Sequence, residues 1–148
     1  MTTGHGDVTT VEAASRAWFD DFAVCVRNRD LTSGRRLFDP ACVSFGTRAE
    51  HLGDLDDLMA RQWHPTWTTT RGFAAIPGTL MVQIATDASV VVLTARWTSE
   101  GVNPDGSTFD RRGRCTIVLR ENDGSPHGLV AVHTHFSLSP ETDSPAGA

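Results

Sequence analysis

A chain of 148 residues is long enough to bury a real core and short enough to be one domain. Its apolar and charged shares, 39% and 21%, are those of a globular protein. The net charge of −5, with every one of the basic residues an arginine, speaks against a nucleic-acid face and leaves the Arg111, Arg112, Arg114 cluster needing another explanation.

Cys25, Cys42 and Cys115 lie far apart inside apolar runs. An odd count without CxxC spacing excludes a disulfide framework or a zinc site and reads as buried free thiols. The opening MTTGHGDVTT has neither a charged nor an apolar leader segment, and no stretch is apolar enough to cross a bilayer, so the expected location is the cytoplasm.

Residues 1–9 and 140–148 are small and polar, the composition of frayed tails on either side of one domain, 10–139. A first helix is predicted from Thr10 to about Val26, with Thr9 or Thr10 as its cap. Ala14, Trp18, Phe22, Cys25 and Val26 form one apolar stripe along it. Asp30 caps a second helix, Leu31–Phe38, stopped by Pro40. A short strand, Ala41–Gly46, and a loop, Arg48–Gly53, lead to Asp54. That residue caps a third helix from Leu55 to about His64, before Pro65, whose inner face carries Leu55, Leu58, Met59, Gln62 and Trp63.

Three β-runs follow, Thr66–Ile76, Thr79–Thr86 and Ser89–Thr98, broken at Gly78 and Asp87. A turn at Asn103–Gly106 opens the last unit. There the runs Arg114–Leu119 and Leu129–Leu138 flank turn formers Asn122, Asp123, Gly124 and Pro126, the pattern of an antiparallel hairpin. Helices first and antiparallel strands after give an α+β domain with helices covering one face of a curved sheet.

This order resembles the nuclear-transport-factor-2-like superfamily and, within it, the SnoaL-like proteins. The matching residues are spread along nearly the whole chain. They comprise Asp30 and Leu31 ahead of Leu37 and Phe38; Phe45, Gly46 and Thr47 before Glu50 to Gly53; Gln62, Trp63 and Trp67 before Phe73; Gly113, Arg114 and Thr116; and His133, His135 and Ser137. The last run is also similar to the end of the association domain of calmodulin-dependent kinases. The resemblance implies a cone, a bent sheet wrapped round helices, with an apolar pocket inside and a homodimer formed through the sheet. Fold alone leaves the function open, since enzymes, transport adaptors and assembly domains share it.

Ketosteroid isomerase, an enzyme of this fold, needs a carboxylate base, a tyrosine and a protonated aspartic acid. The chain has no tyrosine, and the corresponding positions fall near Phe22, Phe45 and Arg114 or Cys115, so steroid isomerisation is not expected. Alternation in Val90–Trp97 puts Thr94 and Arg96 on one strand face and Leu93, Ala95 and Trp97 on the other. By the resemblance, the Thr94 and Arg96 face looks into the cone, with Thr134 and Phe136. Arg96 and Arg114 would then meet a carboxylate, phenolate or enolate, the alternative being structural arginines reaching water. The opposite row, Val91, Leu93, Ala95 and Trp97, would form the dimer face.

His133 and His135 share an outward strand face; they lack a third ligand, and a hydrogen-bonded pair at an interface is the simplest reading. His64, and Glu50 on its loop, are the candidates for moving a proton at the cone mouth. Trp18, Phe22, Phe45, Trp63, Trp67, Thr94, Thr116, Thr134 and Phe136 are the candidate ligand contacts, although an aromatic stripe equally makes plain core. No metal site, phosphate loop or nucleophile elbow is present, so neither metal nor other cofactor is expected. The leading expectation is a small-molecule pocket protein, as a cofactor-free cyclase or isomerase of an aromatic or polyketide-like metabolite. The rival is a non-catalytic ligand-binding or assembly module.

Overall fold

A computed structural model describes residues 7–140, so most of the two predicted tails lies outside the described residues. Helix α1, Val8–Asn28, begins earlier than its stripe predicts, because Asp7 rather than a threonine caps it, accepting from the Thr10 N–H at 2.8 Å. Its inner face buries Ser15, Trp18, Phe19, Phe22, Ala23, Cys25 and Val26. It stops at Arg29, left-handed at φ 56°, whose N–H returns to the Cys25 and Val26 carbonyls. The Arg29 side chain then donates to the Trp67 carbonyl at 2.9 Å, tying this end of α1 to the third helical stretch.

Asp30 caps α2, Leu31–Arg35, as predicted, but α2 ends early because Phe38 already belongs to strand β1, Phe38–Phe45. Asp54 caps the third stretch, which is α3, Leu55–Leu58, a π-helical turn, Met59–Trp63, and α4, His64–Trp67. Pro65 does not end it. The ring sits in the first turn of α4, where a missing N–H costs nothing, and the widened turn upstream absorbs its clash with the preceding carbonyls.

The strands are β2, Thr70–Ala75; β3, Met81–Ile84; β4, Val90–Val102; β5, Thr108–Glu121; and β6, Leu129–Leu138. They order as β1-β6-β5-β4-β2, and β3 shares the free edge of β4 with β2. β5 and β6 form the predicted hairpin, longer at its start than the apolar run shows. β1 runs parallel to β6, so the sheet is mixed rather than wholly antiparallel.

The inner face of β4 is Val91, Leu93, Ala95 and Trp97, at 0, 0, 5 and 1% exposure, packed with Cys115, Ile117 and Leu119 of β5 beneath α1. That is the reverse of the expected orientation. The row anticipated as a dimer face is core, and Thr94 and Arg96 point outward. Burying Val91, Leu93 and Trp97 outweighs any gain from turning an arginine inward. All three cysteines are free and buried, and no helix among the described residues is long and apolar enough to cross a membrane.

Candidate functional site

The open end of the cone holds a cavity of about 50 Å³ between the α1 and α4 aromatics and the inner sheet face. Of the predicted contacts, Phe22, Phe45, Trp63, Trp67, Thr134 and Phe136 line it. Trp63 and Trp67 stack with centroids 4.6 Å apart, and Phe22 stands 6.1 Å from Trp63 and 6.1 Å from Phe136. Phe45, 39% exposed, forms the rim. Trp18 is wholly buried behind this layer, its indole donating to the Leu37 carbonyl at 3.1 Å, and is core rather than lining.

The other candidates lie elsewhere. Arg96, Arg114, Thr94 and Thr116 do come together, around an open depression, but on the outer face of the sheet, where Arg114 donates to Ser137 at 3.1 Å. They inherit that side from the orientation of β4, whose residues Thr94 and Arg96 pair directly with Thr116 and Arg114. His64 and Glu50 are exposed and absent from the lining. His133 and His135 stand on the outer side, edge-on to Phe45 at 5.3 and 5.4 Å, and His133 Nδ1 meets the Val43 carbonyl at 2.8 Å.

One charged group does enter the lining, and it is Arg111. On β5 it shares the inner face with Gly113 and Cys115 and pairs across to Ser99. Its guanidinium lies 5.3 Å over the Trp97 ring and donates to Thr47 Oγ1 at 2.8 Å. Burial, and then the charge of Arg48, pull the Arg111 guanidinium below its ordinary value. Trp97 reaches this position because Gly113 has no side chain: a Cβ there would meet the indole and the Ser137 carbonyl.

Gln62 organises the rim. The Arg48 backbone N–H donates to its Oε1 at 2.8 Å, which fixes the amide orientation, and its Nε2 then donates to Thr47 and Thr66 at 2.8 and 3.3 Å. The Arg48 side chain crosses to Thr66 and Thr69 at 2.8 and 2.9 Å. Gly46 leaves room for this, since a Cβ on it would strike the Gln62 amide. The π turn, Met59–Trp63, is the element that presents Gln62 and Trp63 to the cavity.

Among the described residues that line the cavity there is no Asp, Glu, His or Cys. Among the described residues no group of three His, Cys, Asp or Glu is placed to hold a metal ion. The arrangement therefore sets an aromatic wall against one positive charge that can stabilise negative charge, and its lining groups offer no proton carrier.

Solved structures share this architecture. A nuclear transport factor 2 (NTF2-like) superfamily protein from Salmonella enterica serovar Typhimurium superposes with a TM-score of 0.77 at 19% identity, over 95% of this chain and 99% of its own. A ketosteroid isomerase-like protein from Erwinia carotovora atroseptica gives 0.68 at 14% identity, over 90% and 98% of the two chains. The CaMKII hub of S. rosetta gives 0.67 at 17%, again over 90% and 98%. No curated protein matches the sequence. The architecture is thus the NTF2-like fold; the SnoaL-like domain profile matches residues 15–141, and the chain belongs to the SnoaL-like domain family.

Proposed function

We propose that this protein binds a small, flat, single-ring aromatic molecule in the cavity at the end of the cone. The observation that supports this most is the wall itself. Stacked Trp63 and Trp67 face the Phe22 and Phe136 rings, and one inward guanidinium, that of Arg111, is the only charged group there among the described residues. The enclosed space is about 50 Å³, room for roughly four waters at ~10–15 Å³ each and about a third of an apolar cavity that takes benzene, so a single ring needs the exposed Phe45 at the rim to swing aside as it enters. A multi-ring polyketide would have to part the Trp63–Trp67 stack. In the catalytic form of the reading, a cofactor-free isomerase or cyclase, Arg111 would hold enolate charge while water or the substrate moved the proton.

Titrating toluene and benzoate against the intrinsic fluorescence of the wild-type protein tests the reading. Saturable quenching by at least one is expected, and it should vanish when Ser99→Phe fills the cavity. Unchanged binding to that variant, or no binding of any single-ring compound, would sink it.

A second proposal concerns self-association through the outer sheet face, in keeping with a superfamily that includes hub assemblies. Val43 and Phe45 on β1 and Met81 across the sheet on β3 stay 36 to 58% exposed, apolar positions at the two sides of that face which a second copy would cover. Sedimentation should give a dimer, and a Met81→Glu, Val43→Glu double variant a folded monomer. A wild-type monomer at high concentration would count against it.

A further inference from the structure

The polar side of the cavity has more donors than the protein can accept from. Gln62 spends both Nε2 hydrogens on the Thr47 and Thr66 hydroxyls. Arg111 donates to the first of those hydroxyls and Arg48 to the second. Each hydroxyl oxygen has two lone pairs, and both are now taken. The O–H proton of each threonine is therefore left over, with no acceptor among the described residues. The Trp97 indole N–H, in a residue 1% exposed that lines the same cavity, is likewise without a partner. A buried donor left unmade costs the full desolvation of that group, so Trp97 and Thr66, both buried, mark a place where an acceptor belongs, with the half-buried Thr47 hydroxyl beside them.

Charge points the same way. Arg111 is half-buried and is held by a neutral hydroxyl, with no carboxylate partner among the described residues. Arg48 sits beside it on two further hydroxyls. Arg16, Arg61 and Arg71 pair with Glu12, Asp57 and Glu100, while Arg27, Arg29 and Arg114 also rest on neutral oxygens, so what sets Arg48 and Arg111 apart is that they are neighbours beside a cavity. In a protein of net charge −5, two neighbouring cations at a cavity rim, both resting on hydroxyls, form a site for an anion brought from outside.

Resting on the reading that the cavity takes a flat ring, we infer that its ligand is an aromatic carboxylate. The carboxylate lies against the Arg111 guanidinium and the Thr47 and Thr66 hydroxyl protons, with Arg48 adding charge from the rim. The ring lies against Trp63 and Trp67. Arg96 and Arg114, on the far side of the sheet, take no part.

The test compares benzoate, its neutral amide benzamide, and toluene on the wild-type protein, by calorimetry at low and high salt. Benzoate should bind at least about tenfold more tightly than the other two, and rising salt should weaken benzoate alone. Arg111→Met should remove that preference, so that benzoate and toluene bind this variant alike, and Arg48→Met, at an exposed position, should reduce it in part. Arg114→Met should change nothing. If toluene binds as well as benzoate, the cavity reading stands and the acid is struck out. If no ring compound binds, both fall together. Should Arg111→Met fail to fold, the wild-type series and Arg48→Met still decide: equal affinities for benzoate and benzamide at low salt overturn the inference.

Discussion

At Gly113 the absence of one methyl group sets the position of the Trp97 ring and, through it, of the Arg111 guanidinium stacked on that ring. Gly113→Ala should therefore cost about 1–3 kcal/mol of stability, as overpacking does, and lower the thermal midpoint measured by circular dichroism. The buried thiols give a second residue-scale expectation. Burial pushes Cys42 up to about 11 and Cys115 up to about 12. The folded chain thus keeps protons that the unfolded chain begins to release near pH 8.5 to 9, the ordinary thiol range. Their contribution to stability is whole below that range and drains away as pH rises towards 11 and 12. The urea midpoint should fall through this alkaline window, and a Cys42→Ala, Cys115→Ala variant should show a flatter fall. A thiol reagent at neutral pH should label neither residue until the protein unfolds. The role of Arg111 was hard to see in the sequence, because the apolar run of its strand begins at Arg114 and Arg111 stood out only as part of a basic cluster. Of the aromatic half of the site, Phe22 and Trp63 were legible from helical spacing, whereas Trp67, expected within a β-run, lies in α4 and Phe136 stands on β6.

Elements carry the next level. The phase of β4 decides which side chains can touch a ligand, and plain alternation, with the greasier face inward, had the right answer; the family register pointed the other way. Leu93→Glu should accordingly unfold the domain, since it places a charge where exposure is 0%, whereas Thr94→Glu one residue on should be tolerated. Solubility and chemical denaturation of the two variants check this. The helix starts were legible at Asp30 and Asp54 because a carboxylate before an apolar run is a local signal; the π turn before Pro65 was not, because it answers a clash that composition does not reveal. The helix caps Asp7 and Asp30, and Asp57 in the first turn of α3, are held below the ordinary aspartate range, first of all by backbone N–H groups they accept from. Their support is complete above the unfolded value near ~3.9 and is lost as pH falls through the folded ones. Acid should weaken the protein below about pH 4, and Asp30→Asn, which keeps the cap without the charge, should lessen that loss.

At the scale of the molecule, the succession of helices and late strands was visible from patterning, while the parallel pairing of β1 with β6 was not, for no local turn signals a partner so distant. That pairing sets Ser44 beside Thr134 and Phe45 beside His135, and the Ser44 and Thr134 hydroxyls bond at 2.8 Å. Gly46 and Thr47, one wall of the cavity, hang directly from this seam. During synthesis the wall has nothing to lean on until residues beyond 130 have left the ribosome, and through that interval the aromatic face of α1 waits uncovered. The period before the last strand docks is thus the time of greatest exposure to chaperones and to aggregation. A chain released before Leu129 should come down insoluble.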